Sequence, residues 1–425
     1  MGKGKPEIGV VAHLDVVPAE DEPWKSKDPF KVTVNKDGDS TVLTGRGVVD
    51  DKGPLASLLV VLERLKENPE IFPGKLSLVI DTAEEVGLDN MRKYFRENQK
   101  LLPQGTMVMD GYFPLVAGEK GLGWFEIELN CRDDSELNNG GWKLEELQAG
   151  EAYNQVPGQA VARLGVPGSR PEKEKILKGL PEQLLDRIQI DFEGDKLVVR
   201  AEGKTAHGST PGEGVNAIGP LAGLLRGLEF ARKRDAAFVC FLNRMLDDEC
   251  NYRWDGSWLG IEAGDPRFPT GTTVNLGELK LEEGNLKLGF DARLVPDQDP
   301  EEILEGLPGM VKKIAPPAGR LEVRKITVED PLLVDLKQPL PAAALEAYRE
   351  VTGREDAEPV YMGGRTDATA IPGGFAFGLM RYPEASFYNF HGAEEKVRLE
   401  ELVEAARIYE KTLQKLKIGP CPKNV

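Results

Sequence analysis

Histidine is scarce in this chain: 425 residues carry only three, at positions 13, 207 and 391. Any one of them, taken alone, would be an ordinary core or surface residue, so their neighbours have to carry any case for chemistry. Cysteine is also sparse. Cys131, Cys240, Cys250 and Cys421 include no Cys-x-x-Cys spacing. That excludes a disulfide-stapled scaffold and fits a reducing compartment. Positive charge is in deficit, with 54 Lys and Arg against 71 Asp and Glu and a formal charge of −17. Such a field repels polyanions, so neither nucleic acid nor an anionic membrane is an expected partner. Long apolar runs are missing too. The first, Ile8 to Ala12, is too short for a signal core or a membrane span, so the expected location is the cytoplasm. No internal repeat or low-complexity tract interrupts the sequence.

What remains is an ordinary globular composition, 40% hydrophobic and 29% charged, long enough for two or three domains. The run at 8–12 reads as a buried parallel strand that delivers His13 at its C-terminal end. Leu55, Leu58, Leu59, Leu62 and Leu65 share one face of a helix over 54–67 with Pro54 in its first turn. Buried strands are predicted at 75–82 and 106–110, which completes an alternating α/β texture. From about residue 120 the pattern becomes the one-sided alternation of antiparallel strands, as in 124–129 and 287–293, with a Leu-rich helical segment at 215–233. The α/β texture returns with a helix at 341–352, a Gly-rich strand at 373–380 and a helix at 397–416. The expected organisation is therefore an α/β domain formed by 1–120 and 333–425, interrupted by an α+β insertion at 121–332.

Four segments at or after predicted strand ends carry potential ligands. His13-Leu-Asp15 places a carboxylate two residues from an imidazole, where both side chains share a face of extended chain and Asp15 can orient His13. Gly45-Arg-Gly-Val-Val-Asp50-Asp51-Lys-Gly-Pro54 leads adjacent acids into a helix, Ala83-Glu84-Glu85 follows a buried strand, and Asp110-Gly111 ends another. The chain has six Glu-Glu pairs, among them 394–395, and only 84–85 comes straight off an apolar strand; the others read as surface. Two histidines with three or more carboxylates suit a pair of zinc-like ions, one carboxylate bridging them, and either Asp50 or Asp51 could be that bridge.

His13-Leu-Asp-Val-Val-Pro18, Trp24 with Asp28-Pro-Phe30, and Gly45-Arg-Gly-Val-Val-Asp-Asp-Lys-Gly-Pro54 together resemble the co-catalytic zinc exopeptidases of the acetylornithine deacetylase, succinyl-diaminopimelate desuccinylase and carboxypeptidase G superfamily. Peptidase V-type dipeptidases are the nearest match within it. Thr82-Ala-Glu-Glu85, Gly118-Glu-Lys-Gly121, Asn154-Gln-Val-Pro157, Gly203-Lys-Thr-Ala-His207, Asp291-Ala-Arg293 and His391 follow in family order along nearly the whole chain. The resemblance implies a zinc-exopeptidase-like catalytic domain with a large lid, binding two divalent ions, with Zn2+ expected and Mn2+ or Co2+ as alternatives. Asp50 would bridge them, His13 and Asp110 would complete one site, and Glu85 with His391 the other. Glu84 would be the general base towards a metal-bridging water, and Asp15 would orient His13. His207 would stabilise the tetrahedral oxyanion, while Arg293 and Asn154 would bind substrate, Arg293 at its terminal carboxylate. The implied activity is hydrolysis of dipeptides or similar small amides bearing a free carboxylate, by a monomer whose large insertion supplies His207 from the same chain. The alternatives are an N-acyl-amino-acid deacylase of the aminoacylase or desuccinylase type, or a non-catalytic metal-binding protein. Two departures stand out. Members carry a helix and further sheet before the His-x-Asp strand, whereas only a few residues precede it here: either the chain is naturally short or the sequence begins at an internal Met, and true absence of that segment would leave apolar surface open and favour association. The Gly363-Gly-Arg-Thr-Asp367 loop mixes subgroup patterns, which leaves substrate preference less fixed than reaction class.

Overall fold

The computed structural model describes residues 7–416 except 20–23, 73, 132–134, 138–139, 169, 179, 181, 246–260, 262–263 and 317–318. Cys250, Cys421 and the Met1-Gly2 terminus lie outside the described residues; Cys131 is buried and Cys240 exposed. The chain divides into two compact units, Met1–Glu119 with Leu332–Val425, and Lys120–Pro331.

At the centre of the first unit is a four-stranded parallel sheet in the order Gly374–Ala376, Gly105–Val108, Ile8–His13, Leu76–Asp81. Strand Ile8–His13 is buried along its whole length, as its unbroken apolar run requires. Period-two alternation sorts its side chains between two cores. Ile8, Val10 and Ala12 join the cluster of Leu58, Phe375, Phe377, Ile408 and Tyr409, whereas Val11 joins that of Met91, Phe95 and Ala376. Gly9 is needed for this packing, because a Cβ there would lie 2.5 Å from the Thr106 hydroxyl. Helices Lys52–Glu67 and Pro339–Thr352 each pack on Leu399–Lys415, and the three supply the first cluster. His13 ends its strand opposite Asp81, so the carboxyl edge of the parallel sheet, where open α/β folds place ligands, is where the candidate groups emerge.

The second unit is built on an eight-stranded sheet, antiparallel throughout, in the order Ile188–Glu193, Lys196–Glu202, Gln159–Gly165, Lys143–Ala149, Thr273–Glu282, Asn285–Leu294, Gly121–Asn130, Arg320–Glu329. Helices Ile218–Arg226, Lys233–Met245 and Pro300–Ile314 cover one face over a single large apolar core.

Two expected elements are broken. The helical segment over 215–233 ends at Arg226. Gly227 closes that helix, and residues 229–231 then bond to the backbone of Trp142 in strand fashion (Trp142 N–H to Glu229 at 2.8 Å, Ala231 N–H to Trp142 at 2.8 Å) before helix Lys233–Met245 begins. The strand over 373–380 is two short pieces, Gly374–Ala376 and Met380–Arg381, in different sheets. Between them Gly378 presses so closely on Gly111 that a Cβ would sit 2.2 Å from its carbonyl oxygen. Tight backbone contact redirects the chain where the apolar pattern alone would have continued it. No described helix is long and apolar enough to cross a membrane.

Candidate metal centre

Asp50 is the common member of two ligand groups. Its Oδ1 lies 2.8 Å from His13 Nε2 and its Oδ2 2.9 Å from His391 Nε2. With Asp110 the first pair makes one set of converging ligand atoms, and with Glu85, 3.2 Å from His391 Nε2, the second pair makes another. A carboxylate with one oxygen in each of two such sets is what a bridging ligand requires. Asp51, the alternative bridge, is turned away: its Oδ2 accepts the backbone N–H of His13 at 3.1 Å, and it joins neither set.

Each ligand is aimed by local structure. His13 Nδ1 faces the Asp15 carbonyl at 3.1 Å, which assigns the ring proton to Nδ1 and leaves the Nε2 lone pair directed at the centre. The Asp15 carboxylate lies 3.4 Å from the same nitrogen but spends its hydrogen bonds elsewhere, accepting the backbone N–H groups of Glu84 (3.2 Å) and Glu85 (3.0 Å). It therefore pins the turn that carries both glutamates as well as flanking the imidazole. His391 sits in a strained loop, with Asn389, His391 and Glu394 all in the left-handed region at φ 49°, 62° and 61°.

A residue whose sequence context marks it as surface holds this arrangement together. Glu395 belongs to a Glu-Glu pair read as surface, yet it is fully buried. Its Oε2 receives Arg46 Nη1 at 3.0 Å and Gly47 N–H at 2.9 Å, and its Oε1 receives the N–H groups of Val49 (2.8 Å) and Asp50 (3.2 Å). Arg46 in turn donates to the carbonyls of His391 and Gly392. One buried ion pair thus ties the Asp50 turn to the His391 loop. The available signal was Arg46 itself, a charged residue inside a glycine-rich turn, and a glutamate only four residues after His391. Asp367, in the Gly363-Gly-Arg-Thr loop, is a second omission. It is buried with neither carboxylate oxygen hydrogen-bonded, and burial together with Asp81 pushes it up to about 7.

The electrostatics call for cations. Burial alone would drive protons off the imidazoles, but the surrounding acids outweigh it, so His13 is pushed up to about 12 by Asp50, Asp51 and Asp110, and His391 up to about 10 by Asp50 and Glu85. Glu84 and Asp110 are held well above the carboxylate range, Glu84 first by burial and then by Asp110, and Asp110 first by burial and then by Asp50. Glu85 Oε1 is buried with no hydrogen-bond partner among the described residues. An excess of buried negative charge, imidazoles that cling to protons and an orphaned ligand oxygen all fit a site completed by divalent ions.

Asn154, His207 and Arg293 belong to the second unit, where they cluster. Gly208 donates to the Asn154 carbonyl at 2.6 Å, and a Cβ on Gly208 would lie 2.7 Å from Asp291 Oδ2. Ser209 N–H donates to His207 Nδ1 at 3.1 Å, which leaves the neutral ring's proton on Nε2, the form that can donate to an oxyanion. Arg293 is buried and held by Asp291 through Nε (2.8 Å) and Nη2 (3.1 Å), an internal pair rather than a surface one.

The family model described as Peptidase family M20/M25/M40 matches residues 9–415. A protein of Staphylococcus saprophyticus named "Putative dipeptidase" is 29% identical over 98% of this chain and 84% of its own length. One of the same name from Staphylococcus aureus strain MW2 is 30% identical over 96% of this chain and 82% of its own. Among solved structures, an M20 family metallo-carboxypeptidase from Sulfolobus solfataricus superposes with a TM-score of 0.54 at 19% identity, covering 97% of this chain and 85% of that one, a likeness of fold.

Two outcomes follow. Removing one member of a buried ion pair leaves the other charge uncompensated, so Glu395→Ala should lose about 3–5 kcal/mol of stability, measured by denaturant unfolding of metal-stripped protein; a loss below about 1 kcal/mol would refute the tie. The second concerns pH. His13 and His391 hold protons in the folded, metal-free protein above their unfolded value of 6.5, so their stabilising contribution is present below that pH and fades as pH rises towards 10–12. The raised acids act in the same direction. The melting temperature of metal-stripped protein should therefore fall from pH 6.5 to pH 9, and added Zn2+ should raise it more at pH 9. A metal-free melting temperature that climbs over this window would overturn the assignment.

Proposed function

The chain belongs to the M20/M25/M40 peptidase family, and from that premise we propose a peptidase V-type metallopeptidase that cleaves dipeptides bearing a free C-terminal carboxylate. It is a metal-dependent dipeptidase and a hydrolase. The observation that carries the two-ion form is Asp50, each of whose oxygens meets a different histidine. His13 and Asp110 would hold one ion and Glu85 and His391 the other, most simply Zn2+, for which imidazole and carboxylate are suitable donors. Mn2+ or Co2+ would fit the same donors. Such a pair, when bound, supplies an acidified water and polarises the scissile carbonyl.

The remaining steps belong to the protein. Glu84 takes a proton from the attacking water and passes it to the leaving amine; its raised affinity for protons in a buried acidic setting suits both transfers. Asp15 keeps Glu84 and Glu85 on one turn. His207 offers its Nε2 proton to the oxygen that gains charge. Arg293 and Asn154 bind the substrate, the guanidinium by its free edge to the terminal carboxylate. The single chain carries all of these groups, and we take the protein to be a cytoplasmic monomer in which His207 acts on its own chain.

Two tests bear on these roles. Glu84→Gln should retain two ions per chain yet lose at least about 10²–10⁴-fold in turnover, whereas Glu85→Gln should lose one ion; plasma emission spectrometry with steady-state kinetics reads both, and swapped phenotypes would reverse the assignment within the pair. His207→Ala should keep its metal and lose about 10²–10³-fold in turnover. Mixing it with Glu84→Gln protein should recover no activity, and recovery would show that the histidine serves a partner subunit.

A further inference from the structure

The second unit holds a buried lysine that, among the described residues, has no carboxylate of its own. Lys120 immediately precedes strand Gly121–Asn130, in which Leu122 lies opposite Arg293 and Trp124 opposite Asp291. Alternation therefore puts Lys120 on the same face of the sheet as that ion pair. Its side chain is fully buried, and among the described residues its ammonium makes one hydrogen bond, to Thr270 Oγ1 at 2.8 Å, out of the three it can donate. The nearby negative group is Asp291, whose two oxygens are both engaged by Arg293. The sequence neighbour Glu119 is occupied by the N–H and hydroxyl of Thr366. Two buried cations thus share one carboxylate. Burial, with Arg293 adding to it, brings Lys120 down to about 8, as expected of an ammonium short of negative charge. On the same face the buried indole N–H of Trp124 has no acceptor among the described residues. A buried charge persists only where something pairs with it. Here the missing partner is an anion that also accepts hydrogen bonds.

We propose that Lys120 and Arg293 form a two-cation cradle that binds the C-terminal carboxylate of the peptide substrate, with Lys120 as its second, unshared charge. The proposal rests on the dipeptidase reading above for the identity of the anion. The cradle adjoins the loop of His207, since the Cβ position of Gly208 falls 2.7 Å from Asp291 Oδ2. A carboxylate anchored there would be seated beside the group offered to the developing oxyanion. Arg293 alone would give only one edge of its guanidinium, the other being spent on Asp291. Lys120 restores the two-point charge that discriminates an acid from its amide.

The test compares fully metal-loaded wild type, Lys120→Met and Lys120→Arg on a dipeptide and on its C-terminal amide. Lys120→Met should raise KM for the dipeptide about 10–100-fold, the loss of one charge-assisted hydrogen bond, while the amide changes less than about twofold. Lys120→Arg should recover part of the loss. Methionine matches the lysine stem in volume and removes an unpaired charge, so the substrate-free melting temperature of Lys120→Met should equal or exceed that of wild type. Equal losses on acid and amide, or a lower melting temperature with KM unchanged, would make Lys120 structural and end the proposal. If wild type cleaves no dipeptide, the functional reading fails on its own. The cradle is then judged by calorimetric binding of L-leucine against L-leucinamide: selective loss of leucine binding in Lys120→Met supports it, and unchanged binding overturns it.

Discussion

The first unit depends on one carboxylate being held still. Asp50 must present its two oxygens to two imidazoles that come from opposite ends of the chain, His13 from the first strand and His391 from a loop near the C-terminus. Nothing in the Asp50 side chain fixes that pose. The backbone does, because Glu395 clamps the N–H groups of Gly47, Val49 and Asp50 while its partner Arg46 holds the carbonyls of His391 and Gly392. A fully buried ion pair is a poor source of net stability, because desolvation consumes most of what Coulomb attraction returns. Its value here is geometric: both halves of the centre are fixed by the same two side chains.

The same economy shapes the rest of the centre. Asp15 accepts two backbone amides and so sets the Glu84-Glu85 turn, while its own carbonyl fixes the tautomer of His13. Asp51 uses its carboxylate on the His13 backbone instead of on an ion. Acids in the two candidate ligand groups are thus supported by acids outside them, and the sum of their charges is what holds protons on His13 and His391 in the absence of metal. Proton and metal compete for one field. In the second unit the balance is reversed, with cations in excess over carboxylates around Lys120, Arg293 and Asp291.

How much of this was legible depended on whether a residue's task was local. The strand ending in His13 could be read because an unbroken apolar run has few other uses, and the helix over 54–67 because its leucines repeat at helical spacing. His13, Asp50, Glu85, Asp110 and His391 could be named because each lies beside a strand end or in a motif, and the structure gathers them into two groups sharing Asp50. Glu395 could not, since a Glu-Glu pair carries no trace of burial until Arg46, 349 positions away, is folded against it. The segments 215–233 and 373–380 failed for a related reason. Their breaks come from backbone contact with Trp142 and with Gly111, neither of which leaves a mark on local periodicity.

That distinction also bears on the two arginines. Arg46 and Arg293 are both buried and both paired with an acid, and sequence gives no means of telling them apart. Their surroundings do. Arg46 donates through Nη1 and Nη2 to the carbonyls of Gly392 and His391, which ties it to the loop that carries His391. Arg293 meets Asp291 along one edge only, beside a second buried cation that has no acid of its own. A guanidinium that donates to the carbonyls of a neighbouring loop serves to position that loop. One left in a field of surplus positive charge is in the setting that favours an incoming anion.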